Sequence, residues 1–183
     1  MQVDRLTERM GVFVRLSEVS SVAFGRTALM KLCYLLQEVK RVPLGYSFAL
    51  YSYGPFDSDV LSDLQTAQEL HVLASSVVQY PSGYGYNISQ SSNADKVKNA
   101  AEEFLTKYDK EITEIARDYA SKTAAELELI TTVLFVSRDS VSISDSSLAS
   151  IVRSIKPRFS QNEIETKIVW LREQNLLKPV ASV

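Results

Sequence analysis

The segment Thr27 to Arg41, TALMKLCYLLQEVKR, constrains the fold more than any other stretch of the chain. Thr27, Lys31, Tyr34, Glu38 and Arg41 recur at steps of four, three, four and three, which makes one narrow polar stripe on a helix. Ala28, Leu29, Leu32, Cys33, Leu35, Leu36 and Val39 fill most of the remaining circumference, with Gln37 and Lys40 as late exceptions. A helix that is apolar over most of its girth belongs at the centre of a small core. Each leucine buried there contributes about 1.5–3 kcal/mol. Val42-Pro43 ends the helix, because proline disfavours helical geometry in the residue before it.

The neighbours arrange themselves around that helix. Asp4 to about Ser20 carries Leu6, Met10, Phe13 and Leu16 at helical spacing. Tyr46 to Tyr53 alternates and is rich in aromatics, the pattern of a short strand that breaks at Gly54-Pro55. Asp57 or Ser58 caps a third helix to about His71, with Val60, Leu61, Leu64, Ala67 and Leu70 inside. Val72–Tyr80 and Tyr84–Ser89 flank Pro81-Ser82-Gly83, which predicts a hairpin. The order helix, helix, strand, helix, strand, strand is that of a winged helix, so residues 1–90 are expected to form a winged-helix-like domain.

Residues 91–183 are expected to form a helical domain. Val97, Ala101, Phe104, Tyr108, Ile112, Ile115 and Tyr119 mark one long helix, or two with a mild bend near Asp109. Thr123–Glu126 and Ser160–Glu163 match capping boxes, and Asp145 caps a short helix between them. An internal echo shifted by 104 positions sets Val60, Leu64 and Ala67 against Ile164, Ile168 and Leu171. It raises a second winged-helix-like element at the C-terminal end. The fold class expected is therefore mainly α with a small β-hairpin.

Charge and rare residues narrow the functions. The chain has 183 residues and a formal net charge of −2, which offers no global attraction to nucleic acid. A single cysteine, Cys33, excludes an internal disulfide and fits a cytoplasmic setting. It lies on the apolar side of its helix, where a small buried hydrophobe is expected rather than a nucleophile. The single histidine, His71, suits a helix end, where the dipole favours it. Asp57, Asp59 and Asp63 lack further ligands at fitting spacing, so no metal is expected. The chain has no P-loop, Rossmann fingerprint or nucleophile elbow. No catalytic residue, cofactor or membrane span is expected.

Two surfaces remain. Tyr51, Tyr53, Gly54, Pro55, Phe56, Asp57, Asp59 and Asp63 combine aromatic contact residues with an acidic helix start, which points to a protein partner of basic character. Tyr80, Tyr84 and Tyr86 surround the expected hairpin tip. The helix after Gly54-Pro55 has no lysine or arginine, so it would be repelled by phosphate. Arg153, Lys156, Arg158, Lys167 and Arg172, with Lys178, form the alternative nucleic-acid surface, diluted by Glu163, Glu165 and Glu173. Self-association stays open.

KLCYLLQE (31–38), YSFALYSYGPFDSDVLSDL (46–64) and ELHVL (69–73) are similar to the YwgA-like proteins and, more distantly, to the Panacea domain of SocA-type antitoxins. LELITTVLFV (127–136) and KPRFSQNEI (156–164) extend the YwgA-like resemblance over most of the chain. The resemblance implies a regulatory protein that binds another protein, antitoxin-like, and carries over no catalytic residue. The expectation is a non-enzymatic interaction protein acting on a neighbouring gene's product, with a DNA-binding regulator as the alternative.

Overall fold

The computed structural model describes residues 4–80, 83–138 and 143–177. In chain order the elements are α1 (Arg5–Val19), α2 (Arg26–Glu38), β1 (Ala49–Tyr51), β2 (Gly54–Phe56), α3 (Ser58–Glu69), β3 (Leu73–Tyr80), β4 (Gly83–Gln90), α4 (Ala94–Ala100), α5 (Glu102–Tyr119), α6 (Ala124–Arg138), α7 (Asp145–Ile155) and α8 (Gln161–Glu173). The described residues are mainly helical, with two small antiparallel hairpins, β1–β2 and β3–β4. They divide into two compact units, one of Met1–Phe48 with Phe56–Ala124 and one of Ala49–Pro55 with Ala125–Val183. The boundary expected at 90/91 falls inside the first unit, because α4 and α5 pack on α1.

In the first unit α2 is the central helix. Leu29 through Leu36 are all buried. The expected polar stripe is therefore interrupted, since Lys31 and Tyr34 are 2% and 1% exposed. The helix stops at Glu38, earlier than expected. Arg41 turns left-handed at φ 60°, and the Val42 N–H reaches back to the Leu36 carbonyl. Tyr46 and Phe48 are not strand but buried aromatics. Phe48 meets Tyr34 edge-on at 5.2 Å between ring centres and Tyr46 at 5.7 Å. Only Ala49–Tyr51 of the expected strand forms, and it pairs with β2 rather than with β3 or β4. The β3–β4 ladder runs in register from Leu73↔Gln90 to Tyr80↔Gly83; Pro81 and Ser82 of the expected turn lie outside the described residues.

The long amphipathic pattern after Asn93 breaks twice. Tyr108 leaves helical geometry at φ −115°, ψ 15°, next to the bend expected near Asp109. Ala101 separates α4 from α5 at φ −96°, ψ 11°. Gly11 of α1 faces that break so closely that a Cβ on it would stand 2.7 Å from the Ala101 methyl.

In the second unit α6 is buried from Leu127 to Leu134. The Ser144 side chain, one residue before the expected Asp145, caps α7. Ser160 and Glu163 close a full capping box on α8.

The echo at 104 positions reappears as geometry in each unit by itself. α3 is followed by His71 at φ 55°, with Leu70 N–H bonding to Thr66 O and Val72 N–H to Ala67 O. α8 is followed by Asn175 at φ 57°, with Gln174 N–H bonding to Trp170 O and Leu176 N–H to Leu171 O. Both are left-handed helix ends with the same bond pattern.

Candidate functional site

The β1–β2 hairpin turns at Ser52-Tyr53, not at Gly54-Pro55 as the sequence suggested. Gly54 follows at φ 87°, the left-handed position that a short hairpin loop gives to glycine. Gly54 and Pro55 are buried, and the strand they begin is at a sheet edge, where proline is tolerated. Tyr51 and Tyr53 point outward, 62% and 67% exposed. Phe56 is half-buried.

A buried ionic cluster of the second unit holds this turn from below. Lys156 is 4% exposed and Glu128 2%. The Lys156 ammonium donates to the Tyr51 carbonyl at 3.0 Å and to the Ser52 carbonyl. It stands 3.2 Å from Glu128 Oε1, off the hydrogen-bond direction, so that oxygen is held by charge alone. The other carboxylate oxygen takes the Arg158 guanidinium. Arg158 reaches outward, half-exposed, with its guanidinium 5.9 Å from the centre of the Tyr53 ring. Tyr51, Tyr53 and Arg158 thus form an exposed group on a fixed base. Glu128 went unnoticed in the sequence. Its signal was a lone carboxylate inside the apolar run LELITTVLFV.

The acidic residues separate. Asp57 caps α3, accepting from the Asp59 N–H at 2.9 Å and from the Ser47 N–H at 2.5 Å. Asp59 is exposed. Asp63 turns inward, accepting from the Tyr46 hydroxyl at 2.8 Å and from Arg9 at 3.1 Å. Arg9 also donates to the Leu44 and Gly45 carbonyls and lies 4.0 Å from the centre of the Tyr46 ring. Burial pushes the Tyr46 hydroxyl far above its ordinary pKa, and Asp63 adds to that. The acids expected to face a partner reduce to Asp59, with Asp57 tied to the backbone.

The basic set is also spent inside its unit. Lys156 is buried as described. Arg153 donates to the Pro157 and Phe159 carbonyls and closes the end of α7. Arg172 binds Asp145 at 2.6 Å. Lys167 stands 5.0 Å from the Trp170 ring centre. Lys178 lies outside the described residues.

Cys33 is fully buried, and burial pushes its thiol well above the ordinary value, the opposite of an activated nucleophile. Among the described residues no group of three or more His, Cys, Asp or Glu could hold a metal ion, and no helix is long and apolar enough to cross a membrane. A groove of about 730 Å³ in the first unit lies between the start of α2, Tyr84–Tyr86 and residues 120–124. Arg26 and Lys122 line it, and no carboxylate does.

No protein-family model matches the sequence, and no curated protein matches it.

Proposed function

We propose that this chain is a non-enzymatic protein-interaction module on a winged-helix-like scaffold, regulatory and antitoxin-like in kind. Its contact site is the β1–β2 hairpin, and its partner is the protein product of an adjacent gene. The observation that carries the reading is the exposure of Tyr51 and Tyr53 on a turn whose carbonyls are held by buried Lys156. Tyrosine and arginine on a rigid base are the residue types that dominate binding hot spots. The resemblance of the Tyr53-Gly54-Pro55 region to YwgA-like and Panacea-type sequences supports the antitoxin-like part. The helix order around α2 supports the scaffold.

The argument for a basic partner weakens, since Asp63 is internal and Arg158 joins the tyrosines. The alternative, duplex binding through Arg153, Lys156, Arg158, Lys167 and Arg172, has less support, because most of these cations already hold internal acceptors.

Co-expression with the adjacent gene's product, followed by titration calorimetry, tests the proposal. Losing one hot-spot tyrosine costs about 2 kcal/mol or more, so Tyr53→Ala is expected to weaken binding roughly thirtyfold. Unchanged affinity in the Tyr51→Ala/Tyr53→Ala double variant would sink it.

A further inference from the structure

The β3–β4 hairpin carries an edge that the other described residues of its unit do not use. The bond from the Ile88 N–H to the Phe24 carbonyl, at 2.9 Å, shows that Ile88 faces away from β3. Its partner in the register is Ser75. Main-chain groups alternate along an antiparallel ladder. Ser75, Val77 and Gln79 therefore turn their N–H and C=O groups outward from β3, as Tyr84, Tyr86 and Ile88 do from β4.

The two edges differ in cover. On the β4 side Phe24 takes the Ile88 amide, and Gly25 comes so near the Tyr86 carbonyl that a Cβ there would collide with it. On the β3 side, among the described residues, the Gln68 side chain reaches the Ser75 hydroxyl and no main-chain group of the edge is taken.

Proteins normally blunt such an edge with a charge, a proline or a bulge. β3, LASSVVQY, has no charge and no proline, and its register with β4 is unbroken. From Leu70 to Ala94 the sequence contains no Asp, Glu, Lys or Arg. Val77, at the middle of the outward-facing set, is 66% exposed.

We propose that the β3 edge binds β3 of a second copy of this chain, antiparallel, with Val77 on the two-fold axis. Leu73 shares the parity of Ser75, Val77 and Gln79 but is buried, and this register is the one that pairs the three remaining outward-facing residues only with one another. Val77 pairs with Val77 of the other copy, and Ser75 pairs with Gln79 on each side. Six main-chain hydrogen bonds form, and the two hairpins become a four-stranded sheet. The occupant follows from charge. A strand bearing charges would repel its own copy or select a complementary one, whereas a charge-free edge meets itself without penalty. The interface is small, so a reversible dimer is expected, with Kd on the order of 1–100 µM.

Sedimentation velocity on the full chain from about 1 to 200 µM is expected to show concentration-dependent dimerisation. Val77→Lys places two like charges on the axis and is expected to raise Kd at least tenfold. Its side chain is exposed, so the fold is retained, which circular dichroism checks. Val77→Cys gives an independent reading. Directly opposed residues in a hydrogen-bonded pair lie about 5.5 Å apart at Cα, inside the disulfide range. Oxidised glutathione is expected to link that variant into a dimer, while Ser150→Cys, exposed on α7, stays unlinked. Buried Cys33 does not compete. A monomer at every concentration overturns the proposal, and so does a dimer indifferent to Val77→Lys or one that Val77→Cys fails to cross-link.

Discussion

Asp59 and Asp63 stand four residues apart on α3, and on the sequence they share a face. Four residues on a helix turn through about 40° beyond a full circle. That offset carries Asp63 to the margin of the buried side, where Arg9 and Tyr46 receive it. Asp59 stays in solvent at the first turn. The two carboxylates should therefore differ sharply on truncation. Asp63→Ala leaves Arg9 without its counter-ion and the Tyr46 hydroxyl without an acceptor. Breaking a largely buried pair of this kind costs about 3 kcal/mol or more. Asp59→Ala should change stability by no more than about 0.5 kcal/mol. Urea unfolding of both variants measures the difference, and equal losses would contradict the inward role of Asp63.

Among elements, the β1–β2 hairpin depends most on a partner, since an isolated two-stranded hairpin is marginal in water. Its partner is the Lys156–Glu128 pair, which supplies donors to the turn carbonyls. Lys156→Met should cost about 3–5 kcal/mol, because the Glu128 charge stays buried with less compensation. Adding Glu128→Leu should restore part of that loss, since the uncompensated charge is gone. If the double variant is no more stable than Lys156→Met alone, buried charge is not what destabilises the single one.

Element boundaries were readable where the chemistry is local. Asp4, Ser160 with Glu163, and the apolar spacing of α2 and α3 announced their helices. What depends on distant partners was not readable. The break at Ala101 lies against Gly11, 90 positions earlier in the chain, a contact that no local pattern announces. The burial of Lys156 needs Glu128 and the Tyr51 carbonyl. The exposed tyrosines were readable as candidates because tyrosines beside a Gly-Pro break offer a large contact area at little entropic cost. Which cations hold internal acceptors was not readable, because a sequence cannot tell an open arginine from one that closes a helix end.

At the scale of the whole molecule, the response to pH combines groups shifted in opposite senses. Asp4 is held below its ordinary pKa by the Thr7 N–H, Asp118 by Arg117, Glu114 by Lys40 and Glu163 by Ser160. Carboxyls depressed in the folded state stabilise it above their unfolded values, 3.8 for Asp and 4.5 for Glu, and that stability is lost as pH falls through the folded values. Unfolding midpoints should therefore drop below about pH 4.5.

The alkaline limb has a different origin. Burial raises the Cys33 thiol above its ordinary 9.0, and it raises the Tyr119 hydroxyl from 10.0 to about 12. Groups raised in the folded state contribute their full stability below the unfolded value and lose it as pH rises beyond that value. The unfolded chain ionises Cys33 first, so the loss should begin near pH 9, before any tyrosine contributes. With the folded thiol still protonated, linkage gives a loss on the order of 1 kcal/mol between pH 8 and pH 10 from this one group. Cys33→Ala lowers stability at every pH through the space it leaves, but it should flatten the slope over that interval. Urea titrations at pH 8, 9 and 10 separate slope from level. A slope unchanged by Cys33→Ala would mean that the alkaline limb belongs to other groups.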